Sequence, residues 1–424
     1  MYVLKAEIRN VKSIRHVSWS VPPEHAAGWH VVLGDNGSGK SAVLKAIALT
    51  LAGNDNALAL RLPLANWVRK GVSQAKTQLQ LYRDEQWDDP GSLRRLGPKT
   101  PLSFDFTIDL PTQDDPVLHF GNNSLDRKAR GWFSAAYGPF RRFAGSDEQY
   151  DKIHLPRLVR YLSLFDERFA LTEALEWLRQ LRFEQLEQEE RPDHFLDLLK
   201  AFINQPDFLP YGAKLQEVTS RQVGFVDGNG CEVPVEELSD GYRSILSMTF
   251  ELIRQLAQEY GSEALFGGDK FSQIVVPGVV LVDEIDAHLH PTWQRRVGVW
   301  FRKHFPHMQF IVTTHSPLVC QAAEVGTVFR LARPGTVEES GMVTGDELNR
   351  LLYGNILDAY GTGFFGEGVT RSSSSRERLD KLAQLNLKEI HEGLSEEESE
   401  EQTSLRAALP TAAHVLKVGD AADS

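Results

Sequence analysis

Gly34-Asp35-Asn36-Gly37-Ser38-Gly39-Lys40-Ser41 decides how this chain is read, because it fits the spacing G-x-x-x-x-G-K-[ST]. Upstream, Trp29–Leu33 is a short apolar run of strand type. Downstream, Ser41–Ala52 carries Leu44, Ile47, Ala48 and Leu51 at i, i+3, i+4 and i+7, one face of a helix that Gly53 stops. Glycines let backbone N–H groups approach phosphate oxygens, and a helix N-terminus adds the positive end of its dipole. Gly34, Asn36, Gly37, Ser38 and Gly39 then form a phosphate cradle, Lys40 reaches the β- and γ-phosphates, and the Ser41 hydroxyl coordinates Mg²⁺. Such a match arises by chance in roughly 1–2% of chains of this length, and here it also has the strand before it and the helix after it. ATP with Mg²⁺ is the expected ligand pair; a glycine-rich turn without ligand is the plain alternative.

Two further strands point to the same place. Val279-Val280-Leu281-Val282-Asp283-Glu284 is an apolar run ending in two acids. In a parallel sheet its carboxyl end lies beside the phosphate loop, so Asp283 holds Mg²⁺ and Glu284 orients or deprotonates the attacking water. The adjacent DEIDAHLH also admits a transition-metal reading through Asp283, Asp286, His288 and His290, against structural histidines in a turn that Pro291 closes. Phe310–Thr314 is the second strand and delivers His315-Ser316-Pro317. Between the phosphate loop and these strands, Leu238-Ser239-Asp240-Gly241-Tyr242-Arg243 opens a helix carrying Ile245, Met248, Leu252 and Leu256, with Ser239 a natural N-cap.

The 424 residues hold 46 Lys+Arg against 58 Asp+Glu, a net charge of −12, which argues against a chain that coats nucleic acid by bulk charge. At roughly 150 residues per domain the length allows two or three domains. Cys231 and Cys320 have no CxxC spacing and read as reduced, buried thiols of a cytoplasmic protein. The start, MYVLKAEIRN, has no apolar signal core, and no run of about 18 apolar residues marks a membrane span. Met1–Ile8 reads as a strand, followed by a polar turn at Asn10–Ser13. QLQLY, LSFDFTIDL and PVLHF read as a β-rich lobe within residues 75–120, and residues 147–206 as Leu-, Glu- and Arg-rich helix. VGFVDGNGCEVPV reads as a hairpin turning at Asp227–Gly230. After about residue 371, SSSSRE and SEEESEE suggest helix fragments between disordered stretches.

Taken in order, these motifs resemble the head of an SMC/RecF-type ABC ATPase. LSDGYR stands where that group has its LSGGQ-type signature, and His315 stands as its switch histidine. DEIDAHLHP, FIVTTHSP and the N-terminal strand with IRNVKSI match as well, over about residues 1–53 and 130–335. AAYGPFRRF (Ala135–Phe143) is similar to the ATPase subunits of Septu and retron-associated anti-phage systems. The resemblance implies an α/β fold, an ABC-type P-loop NTPase head of mixed sheet and flanking helices with a β-rich lobe and a short helical insertion. Its parts would be residues 1–146 and 211–335 of the head, a helical insertion at 147–210 and an acidic tail at 336–424. It also departs in one place, where Tyr137 stands for a Mg²⁺-binding glutamine and puts metal coupling through that loop in doubt.

By that resemblance Ser239 and the Gly241 N–H contact the γ-phosphate held by another copy, so the site is completed in a homodimer or higher oligomer around ATP. Glu284, Lys40 and His315 would carry hydrolysis, with Ser41 and Asp283 on the metal, and Lys12 and Ser13 in position for phosphate or base contacts. No HNH spacing or toprim-like acid set occurs, so cleavage in a defence or repair role would fall to a separate effector such as an HNH-type nuclease. Arg127, Lys128, Arg130, Arg141, Arg142, Arg157 and Arg160 either line a groove for DNA or RNA backbone or form solvated faces. An ATP-bound scaffold with negligible turnover is the alternative function. A transporter ATPase would need a coupling surface for membrane helices, which the β-rich lobe and DEIDAHLHP do not resemble.

Overall fold

β1 (Tyr2–Val11) and β2 (Ile14–Ser20) form the first hairpin, whose turn holds Asn10 and Lys12 at positive φ. The computed structural model describes residues 1–89, 101–111, 115–121, 131–143, 156–187, 194–206, 208–267, 272–355, 359–360 and 372–409. The strand at the N-terminus is longer than Met1–Ile8, and β2 is an additional strand beside it. There follow β3 (Gly28–Leu33), α1 (Lys40–Ala59), β4 (Gln74–Tyr82), β5 (Leu102–Asp109), β6 (Val117–Phe120) and β7 (Ser134–Tyr137). The helices α2 (Pro156–Phe165), α3 (Glu173–Glu187) and α4 (His194–Ile203) come next, then β8 (Lys214–Val218), β9 (Val223–Val226) and β10 (Glu232–Pro234). The last stretch of this unit holds α5 (Asp240–Tyr260), α6 (Ser262–Leu265), β11 (Gly278–Val282), α7 (Pro291–His304), β12 (Met308–Thr314), α8 (Pro317–Cys320), β13 (Gly326–Arg330), β14 (Gly341–Met342) and α9 (Gly345–Tyr353).

Three sheets result. A six-stranded sheet in the order β14-β13-β3-β12-β11-β7 is parallel except for the edge strand β14. An antiparallel sheet runs β2-β1-β4-β5-β6, and a small one runs β10-β9-β8. The burial patterns follow from these roles. β3, β11 and β12 are buried at every position, as strands covered on both faces must be. β4 instead alternates buried and open residues, because one face meets the core and the other meets solvent. α1 lies between the two large sheets: Val43, Leu44 and Ile47 join one apolar cluster with Val3, Ile8, Leu79 and Phe106 of one sheet and Val279, Leu281 and Ile311 of the other. Gly53, at φ 76° and ψ 175°, breaks this helix where the sequence predicts a stop, and a further helical stretch carries it to Ala59. On the opposite side of the mixed sheet, Phe310 of β12 packs against Trp29 and against Phe301 of α7, ring centroids 5.5 and 5.3 Å away.

The Asp227–Gly230 turn closes the β9–β10 hairpin, with Gly230 N–H donating to Asp227 O. It leaves Cys231 exposed, against the buried thiol expected there, because Cys231 closes the turn at the tip of the hairpin; Cys320 is buried. The chain divides into two compact units, residues 1–356 and 357–424. The second, taken by itself, is a helical pair, α10 (Ser373–His391) and α11 (Glu396–Ala408). The SEEESEE stretch supplies the start of α11: Ser395 and Glu398 form a reciprocal capping box, and Glu398 pairs with Lys388 at 2.6 Å. Among the described residues no helix is long and apolar enough to cross a membrane.

His30 ties β3 to its surroundings and makes the core pH-sensitive. Its Nε2–H donates to Ala26 O at 3.0 Å and its Nδ1 faces the Thr327 hydroxyl at 3.0 Å, which suits the neutral ring. Burial holds its pKa down at about 4. The unfolded imidazole takes a proton near pH 6.5 and the folded one does not, so stability is complete above that value. It falls by about 3 kcal/mol towards pH 4 and levels below it. Urea unfolding of wild type and His30→Gln between pH 4 and 8 reads this difference, and parallel pH profiles would refute it.

Candidate active site

Leu33 of β3 pairs with Thr314 of β12, and Val282 of β11 pairs with Val312, so the three central strands release Gly34, His315 and Asp283 at one edge of the sheet. In open α/β sheets this carboxyl edge is where ligands collect. The loop after β3 is wound tightly. Ser38 N–H donates to Asp35 O at 3.1 Å, and Gly39 takes φ 100° to enter α1, a conformation a side chain would strain. A Cβ on Gly34 would come within 2.5 Å of Ser38 Oγ, and one on Gly39 within 2.9 Å of Ser13 Oγ. The Ser38 hydroxyl is buried and has no hydrogen-bond partner in the protein. A buried hydroxyl left unmatched inside a loop of backbone amides suits an anionic ligand that accepts from it.

Lys40 is the first residue of α1 and its side chain folds back over the loop. Its Nζ donates to Gly34 O at 2.9 Å, to Asp35 O at 3.1 Å and to His315 Nε2 at 2.8 Å. Accepting from an ammonium requires the unprotonated Nε2 of a neutral imidazole. The pKa of His315 is lowered accordingly, by burial first and by the Lys40 charge second. Burial also lowers Lys40, against the pull of Glu284, Asp283, Asp286 and Asp35. Ser41 follows in the first turn of α1, and Asn36 and Gly37 form the exposed tip of the loop.

The acids stand opposite. Asp283 is 2% exposed, its Oδ1 accepting from Thr313 Oγ1 at 2.6 Å and its N–H donating to Tyr137 O. Glu284 is more open and reaches to 3.9 Å from His315 Nε2. Its backbone sits at φ 45°, unusual for a residue with a long side chain, and its N–H donates to Thr313 Oγ1 at 2.8 Å. Thr314 holds Asp286 in the same way, at 2.6 Å. Below this turn Arg141, 3% exposed, donates to the carbonyls of Asp283 and Glu284.

Lys40, Asp283, Glu284 and His315 thus come together at one sheet edge beside the loop 34–41. Ser239 and Gly241 do not join them. They line a separate cleft of about 390 Å³ with Tyr211, Tyr242, His288 and Trp293. Ser239 occupies the N-cap position of α5 yet its side chain makes no capping bond, and it is exposed. Lys12 lies with its ammonium over the Trp67 ring at 5.1 Å.

Tyr137, which stands where the resemblance has a Mg²⁺-binding glutamine, is buried and donates its hydroxyl to Gln255 Oε1; all four residues of β7 are buried, so its side chain is held in the core. Of the two readings of DEIDAHLH, the turn with structural histidines is the one the geometry supports: among the described residues no group of three His, Cys, Asp or Glu side chains could hold a metal ion. His290 instead caps α7, accepting from Thr292 N–H. Arg141 and Arg160 do not line a nucleic-acid groove, for Arg141 is spent on backbone carbonyls and Arg160 is ion-paired with Glu259 at 2.7 Å. Arg142 is exposed and donates to Glu167 O, and Arg157 is half-buried. Arg127, Lys128 and Arg130 lie outside the described residues. Thr313 and Thr314 are site residues that sequence reasoning missed, and Arg141, named there only as a groove candidate, stands in the site instead. Two hydroxyls closing an otherwise apolar strand were the available signal for the threonines.

An α/β core with a glycine-rich strand-to-helix loop beside a pair of strand-end acids is the architecture of a P-loop nucleotide-binding domain. The chain belongs to the family described as "AAA domain, putative AbiEii toxin, Type IV TA system", which it matches over residues 79–321, more than half its length. It is similar to the Septu protein PtuA of Bacillus mycoides, 28% identical over 320 residues, covering 75% of this chain and 38% of that protein. It is also similar to the Retron Ec83 probable ATPase of Escherichia coli, 35% identical over 124 residues, 29% of this chain and 22% of that one. The chain therefore spans well under half the length of these relatives. Among solved structures it is like an Smc head bound to the C-winged helix domain of ScpA, with a TM-score of 0.48 and 14% identity, over 82% of this chain and 99% of that one. The sequence relatives bear out the resemblance to Septu and retron-associated ATPases.

Thr313→Val keeps the shape of β12 and removes the hydroxyl that serves both Asp283 and Glu284. With a buried carboxylate oxygen and an amide left unmatched, the variant is expected to lose about 2–3 kcal/mol in chemical denaturation. A midpoint equal to wild type would show that these two bonds do not hold the turn.

Proposed function

We propose that the chain binds ATP with Mg²⁺ and hydrolyses it slowly, two copies closing around the nucleotide. One observation carries this reading: Lys40, Asp283, Glu284 and His315 meet beside the loop 34–41 at the ends of three adjacent strands. The tight glycine turns and the unmatched Ser38 hydroxyl favour a polyphosphate there, received by the amides of Gly34, Asn36, Gly37, Ser38 and Gly39. Ser41 and Asp283 are the residues to hold Mg²⁺. The metal would neutralise charge on the phosphate oxygens. Lys40 exchanges its loop carbonyls and His315 for phosphate oxygens. Glu284, the more open acid, takes a proton from the water whose oxygen attacks the γ-phosphorus as the bond to the bridging oxygen breaks. His315, freed from Lys40, presents a ring nitrogen to the γ-phosphate.

The separate place of Ser239 supports pairing. An exposed serine hydroxyl and the start of a long helix, away from the loop of their own chain, are suited to the γ-phosphate of a second copy. A reading as an ATP-bound scaffold with negligible turnover is favoured by the inward-facing Tyr137, which offers nothing to a metal at that strand end. In either case the output would be regulation of a separate effector, such as an HNH-type nuclease, in anti-phage defence or DNA repair, with DNA or RNA as a further partner. The Septu and retron relatives are the reason to prefer defence.

Single-turnover hydrolysis, with and without DNA, separates the ATPase from the scaffold. Lys40→Ala should bind ATP about 100-fold more weakly or worse, a loss of about 3 kcal/mol. Glu284→Gln should keep the affinity, cut turnover by about 100-fold and accumulate as a dimer in size-exclusion chromatography with ATP. Hydrolysis by Glu284→Gln at the wild-type rate would remove that residue from the mechanism.

A further inference from the structure

Arg141 is buried, and its five bonds all go to oxygens without formal charge. Nε donates to Ser244 Oγ at 3.0 Å, Nη1 to Gly138 O at 3.0 Å and to Asp283 O at 2.8 Å, and Nη2 to Glu284 O at 3.1 Å and Ile285 O at 3.5 Å. Three consecutive carbonyls thus converge on one guanidinium, at the turn that leaves Glu284 in the left-handed region. A cation taken out of water without a bonded carboxylate is held at a cost, so what it fixes matters. Its pKa, though pushed down by burial to about 10, leaves it charged at neutral pH.

The fifth bond gives the arrangement its direction. Ser244 lies on α5 three residues after Gly241, one turn from the start of the helix, and is itself buried. A displacement of the Ser239–Gly241 end of α5 therefore reaches Arg141 through one hydrogen bond and reaches the backbone of Asp283, Glu284 and Ile285 through three more. We infer that Arg141 is a positioning residue that links the start of α5 to the backbone of Glu284, so that engagement of LSDGYR sets the aim of the acid in the same chain. This rests on the paired reading above, in which Ser239–Gly241 face the partner's nucleotide and Glu284 faces its own. The residue touches no reacting atom; it acts through the turn.

The test uses Ser244→Ala in the full chain, which removes one oxygen from the link and leaves Arg141 on the turn. Hydrogen exchange without nucleotide should quicken about tenfold for peptides covering residues 283–287, with the melting temperature lowered by a few degrees because the buried Nε–H of Arg141 loses its acceptor. In steady-state ATPase assays kcat should fall about tenfold while KM stays within about threefold. Arg141→Lys, which keeps the charge and loses the planar fork, should show the same split. Unchanged exchange at 283–287 in Ser244→Ala, or faster exchange with wild-type kcat, would overturn the link. A wild-type chain that turns over no ATP would instead end the paired-ATPase reading, a separate failure because the exchange comparison needs no nucleotide.

Discussion

Three ionic groups, Lys40, Asp283 and Arg141, are buried at one edge of a sheet whose central strands are mostly apolar and carry no charged side chain. Charges out of water are tolerated only when their donors and acceptors are matched, and the local structure is arranged around that demand. Loop carbonyls and His315 serve Lys40, Thr313 serves Asp283, and four carbonyls with a serine serve Arg141. The fold supplies these partners because β3, β12 and β11 are neighbours in register. Their ends bring residues distant in sequence within bonding distance.

The same matching explains why the loop is poised for exchange. Lys40 is bound to two carbonyls and a neutral histidine, each a weaker partner for an ammonium than a phosphate oxygen. A polyphosphate would therefore replace these contacts rather than add to them, and His315 would be released in the same event. The acids are held differently. Asp283 is fixed by a buried hydroxyl, whereas Glu284 is oriented through its backbone and keeps an open side chain. One acid is thus rigid and the other can adapt, although they are adjacent in sequence.

Much of this was legible in the sequence where the signal is local. The strand, the loop and the helix from Trp29 to Gly53 follow from an apolar run, a glycine pattern and a 3.6-residue period. The strands ending at Asp283 and His315 show themselves as apolar runs that stop at polar residues. β2 escaped notice although Ile14, Val17 and Trp19 point inward, because His16 and Ser18 between them make the stretch look like a continuation of the polar turn. The place of Arg141 could not be read locally, since its partners lie up to 144 residues away and AAYGPFRRF looks like any basic segment. For Tyr137 the position in the motif was clear, while the direction of its side chain depends on α5, which supplies Gln255.

The β9–β10 ribbon carries a consequence of a chemical kind. Of the two thiols in the chain, Cys320 is enclosed and burial pushes its ionisation well above the usual range, which leaves it a poor nucleophile. Cys231 stands in the open at the end of the turn, with its N–H and carbonyl both pinned by Asp227. A maleimide dye would therefore attach at one defined point of the native protein. That point neighbours the Asp227–Asn229 wall of the hollow that Ser239 also borders, where the fluorophore would act as an optical ruler for the approach of another molecule.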